Sequence, residues 1–329
     1  MSTAANYSAD RIVVEGNEVI RLRDEATQTE VKIIPGFGNN AYEMTVKGHN
    51  VLYSPYKTVT EWKQKPAQAG NPFLAPWCNR ISQDAYWANG KKYLLNADLK
   101  NFRKDANGKP IHGMLTFAEW QVTGVSADDR AAVTTSSLEF WRQPDWMSQF
   151  PFAHAYQMTH RLHDGVLEVE TVVENLSSQP MPLSLGYHTY YKLDDAPRDG
   201  WNVHISARKH VELSNVLVPT GNTAAVPFSD PYSLRGNKLD DVFTELVRNA
   251  AGHAVFSVQG KSQKVSVEFG PNYPVSVIYA PPGREFICFE PMAGVTDVFN
   301  LAHEGKFPLQ SVPAHGQWRE SFWIRPSGF

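Results

Sequence analysis

The sequence predicts an all-β protein: one large antiparallel β-sandwich domain covering residues 1–329, with a few short helices. Three observations predict it. Apolar and polar residues alternate with a period of two along much of the chain, as they do in strands with one buried face. Glycine or proline punctuates most gaps between those runs, at Gly16, Pro35-Gly36, Gly260 and Pro281-Pro282-Gly283, as expected where a chain turns. Long amphipathic helices and regular βαβ alternation are missing, which argues against a doubly wound sheet.

In chain order, strands are expected at 11–14, 18–23, 30–34, 51–53 and 132–140. The clearest run follows at 156–174. Tyr156, Met158, His160 and Leu162 alternate with Gln157, Thr159, Arg161 and His163; after Asp164-Gly165, Leu167, Val169, Thr171 and Val173 alternate mainly with acidic residues. This is a β-hairpin, because Asp-Gly supplies the positive φ angles of a tight primed turn. Further strands are expected at 203–207, 255–259, 264–269 and 275–279, and short helices at 143–149 and 239–249. Nothing marks a linker, a low-complexity tract or a repeat, so many strands joined by short turns read as antiparallel sheets packed face to face.

The 329 residues are 42% hydrophobic and 20% charged, enough apolar material for a substantial core. A net charge of −3 without a basic stripe excludes an obvious nucleic-acid surface. The longest apolar runs fall far short of the roughly 20 residues of a membrane helix. The N-terminal stretch MSTAANYSADRIVVEG lacks the charged start and apolar segment of a signal peptide, so a soluble, cytoplasmic protein is expected. No segment marks a partner surface, and a monomer or weak homodimer is expected. The two cysteines, Cys78 and Cys288, form no C-x-x-C pair and read as buried thiols.

Four stretches set polar groups in apolar surroundings. In PWCNRIS, Asn79 and Arg80 follow Trp77 and Cys78; the residues read either as a surface turn or as a fork of donors suited to vicinal hydroxyls or a carboxylate. In PIHGM, His112 precedes Gly113, as a turn residue or a ligand contact. In LSLGYHTYYKL, His188 is bracketed by Tyr187, Tyr190 and Tyr191, and by itself reads as a core histidine or a proton donor. In EFICFEPMAGVTDVFNL, Glu290 follows Phe286, Ile287, Cys288 and Phe289. Carboxylates are seldom buried unless paired or functional, and desolvation raises a carboxyl pKa toward that of a base working near neutrality. Asp240-Asp241 reads as a helix cap. Eleven histidines raise the question of a metal, but His160 and His163 face different ways along a strand and turn, and no Cys/His cluster or H-x-x-x-H helix pattern is present. Glycine-rich nucleotide loops and G-x-S-x-G are absent.

In order and spacing, these stretches resemble the aldose 1-epimerases, the galactose mutarotase-like family. The carriers are Asn79-Arg80 followed by Ile81, His112-Gly113, His188 after Gly186, Asp240 three residues before Phe243, and Glu290 in an apolar strand. The segment 36–55 looks like the family's first strands, and 312–324, a Pro-x-x-Gly turn into a strand, like its ending. The resemblance covers nearly the whole chain and implies a large antiparallel supersandwich. It implies that His188 is the general acid and Glu290 the general base, that Asn79, Arg80, His112 and Asp240 hold sugar hydroxyls, and that no cofactor or metal is used. Met114 and Pro291-Met292 depart from the pattern of many members and look like a bacterial branch, leaving the sugar open. Asp241 remains a candidate for the work given to Asp240.

The implied activity is interconversion of the α and β anomers of a free hexose. Three alternatives stay open: a hexose-6-phosphate mutarotase using Arg80, Arg103, Lys104 and Arg142, a glycoside-cleaving enzyme pairing Glu290 with Asp240, and a non-catalytic carbohydrate-binding protein.

Overall fold

The computed structural model describes residues 6–329. Its architecture is mostly antiparallel β-sheet with three short α-helices. A five-stranded meander comes first, built in sequence order from Tyr7–Val14, Asn17–Asp24, Thr29–Ile34, Asn40–Val46 and His49–Asn50. A nine-stranded sheet then runs in the order Gln121–Ala127, Ala132–Leu138, His154–His163, Val166–Asn175, Gln317–Ser327, Lys264–Phe269, Ala254–Gln259, Asn202–His204 and Tyr232–Ser233. An eight-stranded sheet runs Pro219–Ala225, Ala207–Leu213, Leu239–Leu246, Val275–Ala280, Ile287–Met292, Gly186–Tyr187 and Phe73–Leu74, with Thr189–Tyr191 also paired to Ile287–Met292.

The two large sheets face one another through aromatic residues. Tyr187 meets Phe322 with ring centroids 4.7 Å apart, and Phe289 meets Phe256 at 6.2 Å. One extended apolar cluster joins both inner faces, which is the packing a sandwich of alternating strands produces.

The hairpin at 156–174 forms as the sequence indicates. His163 pairs with Val166 around Asp164 at φ 48° and Gly165 at φ 70°, the two positive angles a primed turn needs. The helix expected at 143–149 forms as Pro144–Gln149. The segment 239–249 is instead the strand Leu239–Leu246. Its buried Leu239, Val242 and Phe243 have helix-like spacing, but strands on both sides supply a full ladder of partners, and tertiary pairing overrides a weak local preference. The helix-cap reading of Asp240-Asp241 falls with it. At 51–53 there is only an isolated bridge, Leu52 to Tyr191. The strand from Ala132 stops at Leu138, and Phe140–Arg142 is a 3₁₀ turn. The run 203–207 divides between sheets: Asn202–His204 belongs to the nine-stranded one and Ala207–Leu213 to the eight-stranded one. Among the described residues, no helix is long and apolar enough to cross a membrane.

Candidate active site

The register of the eight-stranded sheet brings His188 and Glu290 together. Gly186 pairs with Met292 and Thr189 with Phe289, so His188 and Glu290 occupy opposed positions on neighbouring strands. Glu290 in turn pairs with Val277. Two residues along, the next row on the same face holds Asp240, paired with Tyr279, then Cys288, paired with Tyr190. Directly opposed residues, and those two apart, share a face. A concave pocket of about 240 Å³ therefore presents Asp240, Val277, Tyr279, Tyr190, His188 and Glu290 on one wall. Asp241 points the other way and accepts a hydrogen bond from His210 Nε2 at 2.7 Å. That settles which aspartate lines the pocket.

The facing wall is built from two tight turns. Asn79 at φ 55° and His112 at φ 63° both adopt the left-handed region. They clamp each other: the His112 N–H donates to the Asn79 carbonyl at 2.9 Å, and the Asn79 N–H donates to His112 Nδ1 at 3.2 Å. With Nδ1 an acceptor, neutral His112 carries its proton on Nε2. Gly113 follows at φ 64°, with a β-carbon position only 2.0 Å from the Ala75 carbonyl oxygen, so no other residue fits without moving backbone. Arg80 is aimed by two acceptors: Nε donates to Asp105 Oδ2 at 2.6 Å and Nη1 to Asn79 Oδ1 at 3.2 Å.

His188 Nε2 lies 3.3 Å from Glu290 Oε1. Both side chains are deeply buried, at 7% and 1% exposure, yet His188 Nδ1 and Glu290 Oε2 have no protein partner. Buried polar atoms seldom stay unpaired without a functional reason. The imidazole stacks on Tyr190, with centroids 4.7 Å apart and rings 15° from parallel, and meets His112 edge-on at 5.4 Å. Burial lowers the His188 pKa to about 3. It pushes the Glu290 carboxyl well above the usual carboxylate range, helped by the charge of Asp240 and opposed by Arg80. Asp240, open to solvent at the pocket mouth, is raised by partial desolvation, and burial holds His112 far below an ordinary histidine.

All six residues singled out in the sequence, Asn79, Arg80, His112, His188, Asp240 and Glu290, thus line one pocket. The tyrosines beside His188 divide. Tyr190 is pocket wall, whereas Tyr187 and Tyr191 belong to the core, with Tyr187 bonded to Thr171 and Tyr191 packed on Phe289. Alternation explains it, since only Tyr190 is two residues from His188. Of the basic residues considered for a phosphate, Arg80 and Arg103 line the pocket; Lys104 is paired with Asp84 and Arg142 with Glu139. Tyr279 and Gln68 also line it and escaped the sequence reading. Period-two spacing from Val277 signals Tyr279, whereas nothing local signals Gln68. Among the described residues, no group of three or more His, Cys, Asp or Glu side chains is placed to hold a metal ion.

Chemically, the pocket offers two adjoining proton-transfer groups and a ring of fixed donors around a space the size of a small polar molecule. The family model for aldose 1-epimerase matches residues 18–325. A galactose mutarotase-like protein from Clostridium acetobutylicum superimposes with a TM-score of 0.85 at 22% identity, covering 98% of each chain. A galactose 1-epimerase from Lactobacillus acidophilus superimposes with a TM-score of 0.76 at 13% identity, over 99% of this chain and all of that one. The uncharacterized protein YihR of Escherichia coli is 22% identical over 271 residues, 80% of each chain.

Proposed function

The chain belongs to the aldose 1-epimerase family, and from that premise we propose that it is a mutarotase, interconverting α and β anomers of an aldose by opening and reclosing the hemiacetal ring. The observation that carries this reading is the buried His188–Glu290 pair, 3.3 Å apart, with one free polar atom on each partner.

Ring opening needs a base at the anomeric hydroxyl and an acid at the ring oxygen. Glu290 takes the proton from O1 while His188 gives one to the ring oxygen, and the C1–O5 bond breaks to leave the open-chain aldehyde. After rotation about C1–C2, the C5 hydroxyl attacks the other face of the carbonyl, returning its proton to His188 as Glu290 protonates O1. The cycle balances, and each group contributes about 10² to 10⁴-fold. Burial disfavours charge on both groups, their 3.3 Å contact makes them titrate as a unit, and the active unit holds one proton. The short contact lets that proton pass between them, and sugar hydroxyls donating to Glu290 favour its charged form and hence a protonated His188. Arg80, His112 Nε2 and Asn79 donate to sugar oxygens, and Asp240 accepts from a hydroxyl.

Polarimetry on freshly dissolved α-D-glucose and α-D-galactose tests the reading. The protein is expected to speed the approach to equilibrium, and Glu290→Gln to lower kcat/KM by about 10² to 10⁴. No acceleration over buffer with any aldose, phosphorylated ones included, sinks it. Release of reducing sugar from oligosaccharides would point to glycoside cleavage instead.

A further inference from the structure

We propose that the substrate is an aldose carrying an anionic group outside its ring, and that Arg103 and Lys100 hold this group in a second pocket adjoining the first. The inference rests on the mutarotase reading and narrows its substrate class.

A cavity of about 280 Å³ lies beside the catalytic pocket and shares Gln68 and Arg103 with it. Its lining carries two cations, Lys100 and Arg103, and no Asp or Glu. Two nearby cations are neutralised, Arg80 by Asp105 and Lys104 by Asp84. Among the described residues, Lys100 and Arg103 take part in no such pair. Gln68 adds a second sign. Its Oε1 accepts from Arg103 Nη2 at 2.9 Å, which leaves its buried Nε2 as a donor without an acceptor. Two cationic side chains, with an unpaired amide donor on Gln68 beside Arg103, thus border one cavity whose lining brings no carboxylate. An oxyanion, which only accepts and carries the opposite charge, complements that wall. A neutral second sugar ring offers the two cations no opposite charge.

The position along the sugar follows from the proposed chemistry. In a pyranose the ring oxygen is bonded to C5, and C5 carries the exocyclic carbon. With His188 donating to the ring oxygen, a group on that carbon extends along the His188 side of the pocket. Arg103 stands on that side: it pairs with Ile111, the neighbour of His112, whose ring meets His188 edge-on at 5.4 Å, whereas Asp240 pairs with Tyr279 on the far side of the Glu290 strand. A phosphate ester and a carboxylate share this chemistry.

The test follows anomer exchange by NMR with D-glucose 6-phosphate, D-galacturonate, D-glucose and maltose, for the wild type, Arg103→Gln and Lys100→Gln. At low ionic strength, kcat/KM for at least one acidic sugar is expected to exceed that for glucose by about tenfold or more. Arg103→Gln lowers this ratio by about tenfold, chiefly through KM, and added salt lowers it too. A larger gain for the phosphate identifies an ester-bearing substrate, and a larger gain for the uronate a carboxylate. A wild-type ratio near one, a ratio unmoved by Arg103→Gln and Lys100→Gln, or a preference for maltose over both acids overturns the proposal. If no sugar exchanges faster than in buffer, the mutarotase reading fails by itself. Calorimetric titration of glucose 6-phosphate into wild type and Arg103→Gln then still decides the anion site, and equal affinities overturn it.

Discussion

Burial drives His188 and Glu290 toward their neutral forms from opposite directions, His188 down to about 3 and Glu290 well above the carboxylate range. Desolvation of the charged form is the first cause for each. That has a kinetic consequence. The proposed mechanism needs one proton on the pair, so activity is lost when a second proton arrives and when the only proton leaves. The second arrives at the depressed step and the only one leaves at the raised step. A bell-shaped kcat/KM profile is expected, with its acid limb well below the ordinary histidine value of about 6.5 and a broad plateau across neutrality. An acid limb near 6.5 would contradict a buried pair. Asp240 and Asp241 provide a second contrast at this scale. Asp240 lines the pocket, and Asp241 lies on the opposite face, bonded to His210. Asp240→Asn is expected to raise KM by about tenfold, the loss of one charge-assisted hydrogen bond, whereas Asp241→Asn leaves kcat and KM within twofold. Steady-state kinetics on the two variants checks this, and a larger effect from Asp241→Asn would refute the assignment.

The turn at His112-Gly113 fixes the wall opposite His188 and Glu290, and its geometry rests on a missing side chain. A methyl group at Gly113 would sit 2.0 Å from the Ala75 carbonyl oxygen and 2.4 Å from its carbon, at a φ of 64°. Gly113→Ala is therefore expected to cost about 1–3 kcal/mol by strain and backbone displacement and to move His112, lowering activity more than stability. Thermal unfolding together with kcat/KM reads both; an unchanged melting temperature with normal activity would remove the turn from the argument. Elements differ in how far their sequence announces them, and the reason is where their partners lie. The hairpin around Asp164-Gly165 is legible because every partner is local. The strand Leu239–Leu246 is not, because its ladder comes from Ala207–Leu213 and Val275–Ala280, and alone its apolar spacing imitates a helix. Glu290 is conspicuous as a carboxylate in an apolar run, yet its contact with His188 depends on a register between segments about a hundred residues apart. Arg103 is one of four basic candidates that the sequence alone does not rank, and Gln68 carries no signal, since polar residues look alike until a cavity forms beside them.

Across the whole molecule, the sandwich encloses histidines as well as apolar residues, and this links its stability to pH. His160 lies in the middle of the nine-stranded sheet between Thr134 and Val169, fully buried, with neither ring nitrogen hydrogen-bonded. Its pKa is lowered by burial to about 3, and that of His154 to about 4. In the unfolded chain both titrate near 6.5. Below that pH the unfolded state binds protons that the folded state refuses, so stability falls as pH drops, by up to about 1.4 kcal/mol per pH unit for each histidine, until the folded pKa is reached. Glu290 contributes with the opposite sign, because its folded pKa is raised: the folded state keeps a proton that the unfolded state releases, and that stabilisation is lost as pH rises. The total slope therefore mixes both, and a single substitution separates them. His160→Leu, close in volume and without a titrating group, is expected to remove one proton from the linkage. Between pH 7 and pH 5 it should lose about 2 kcal/mol less than the wild type, measured by denaturant unfolding at the two pH values. Equal losses in the two proteins would mean that His160 accepts its proton while folded, and that the sheet interior around it admits water.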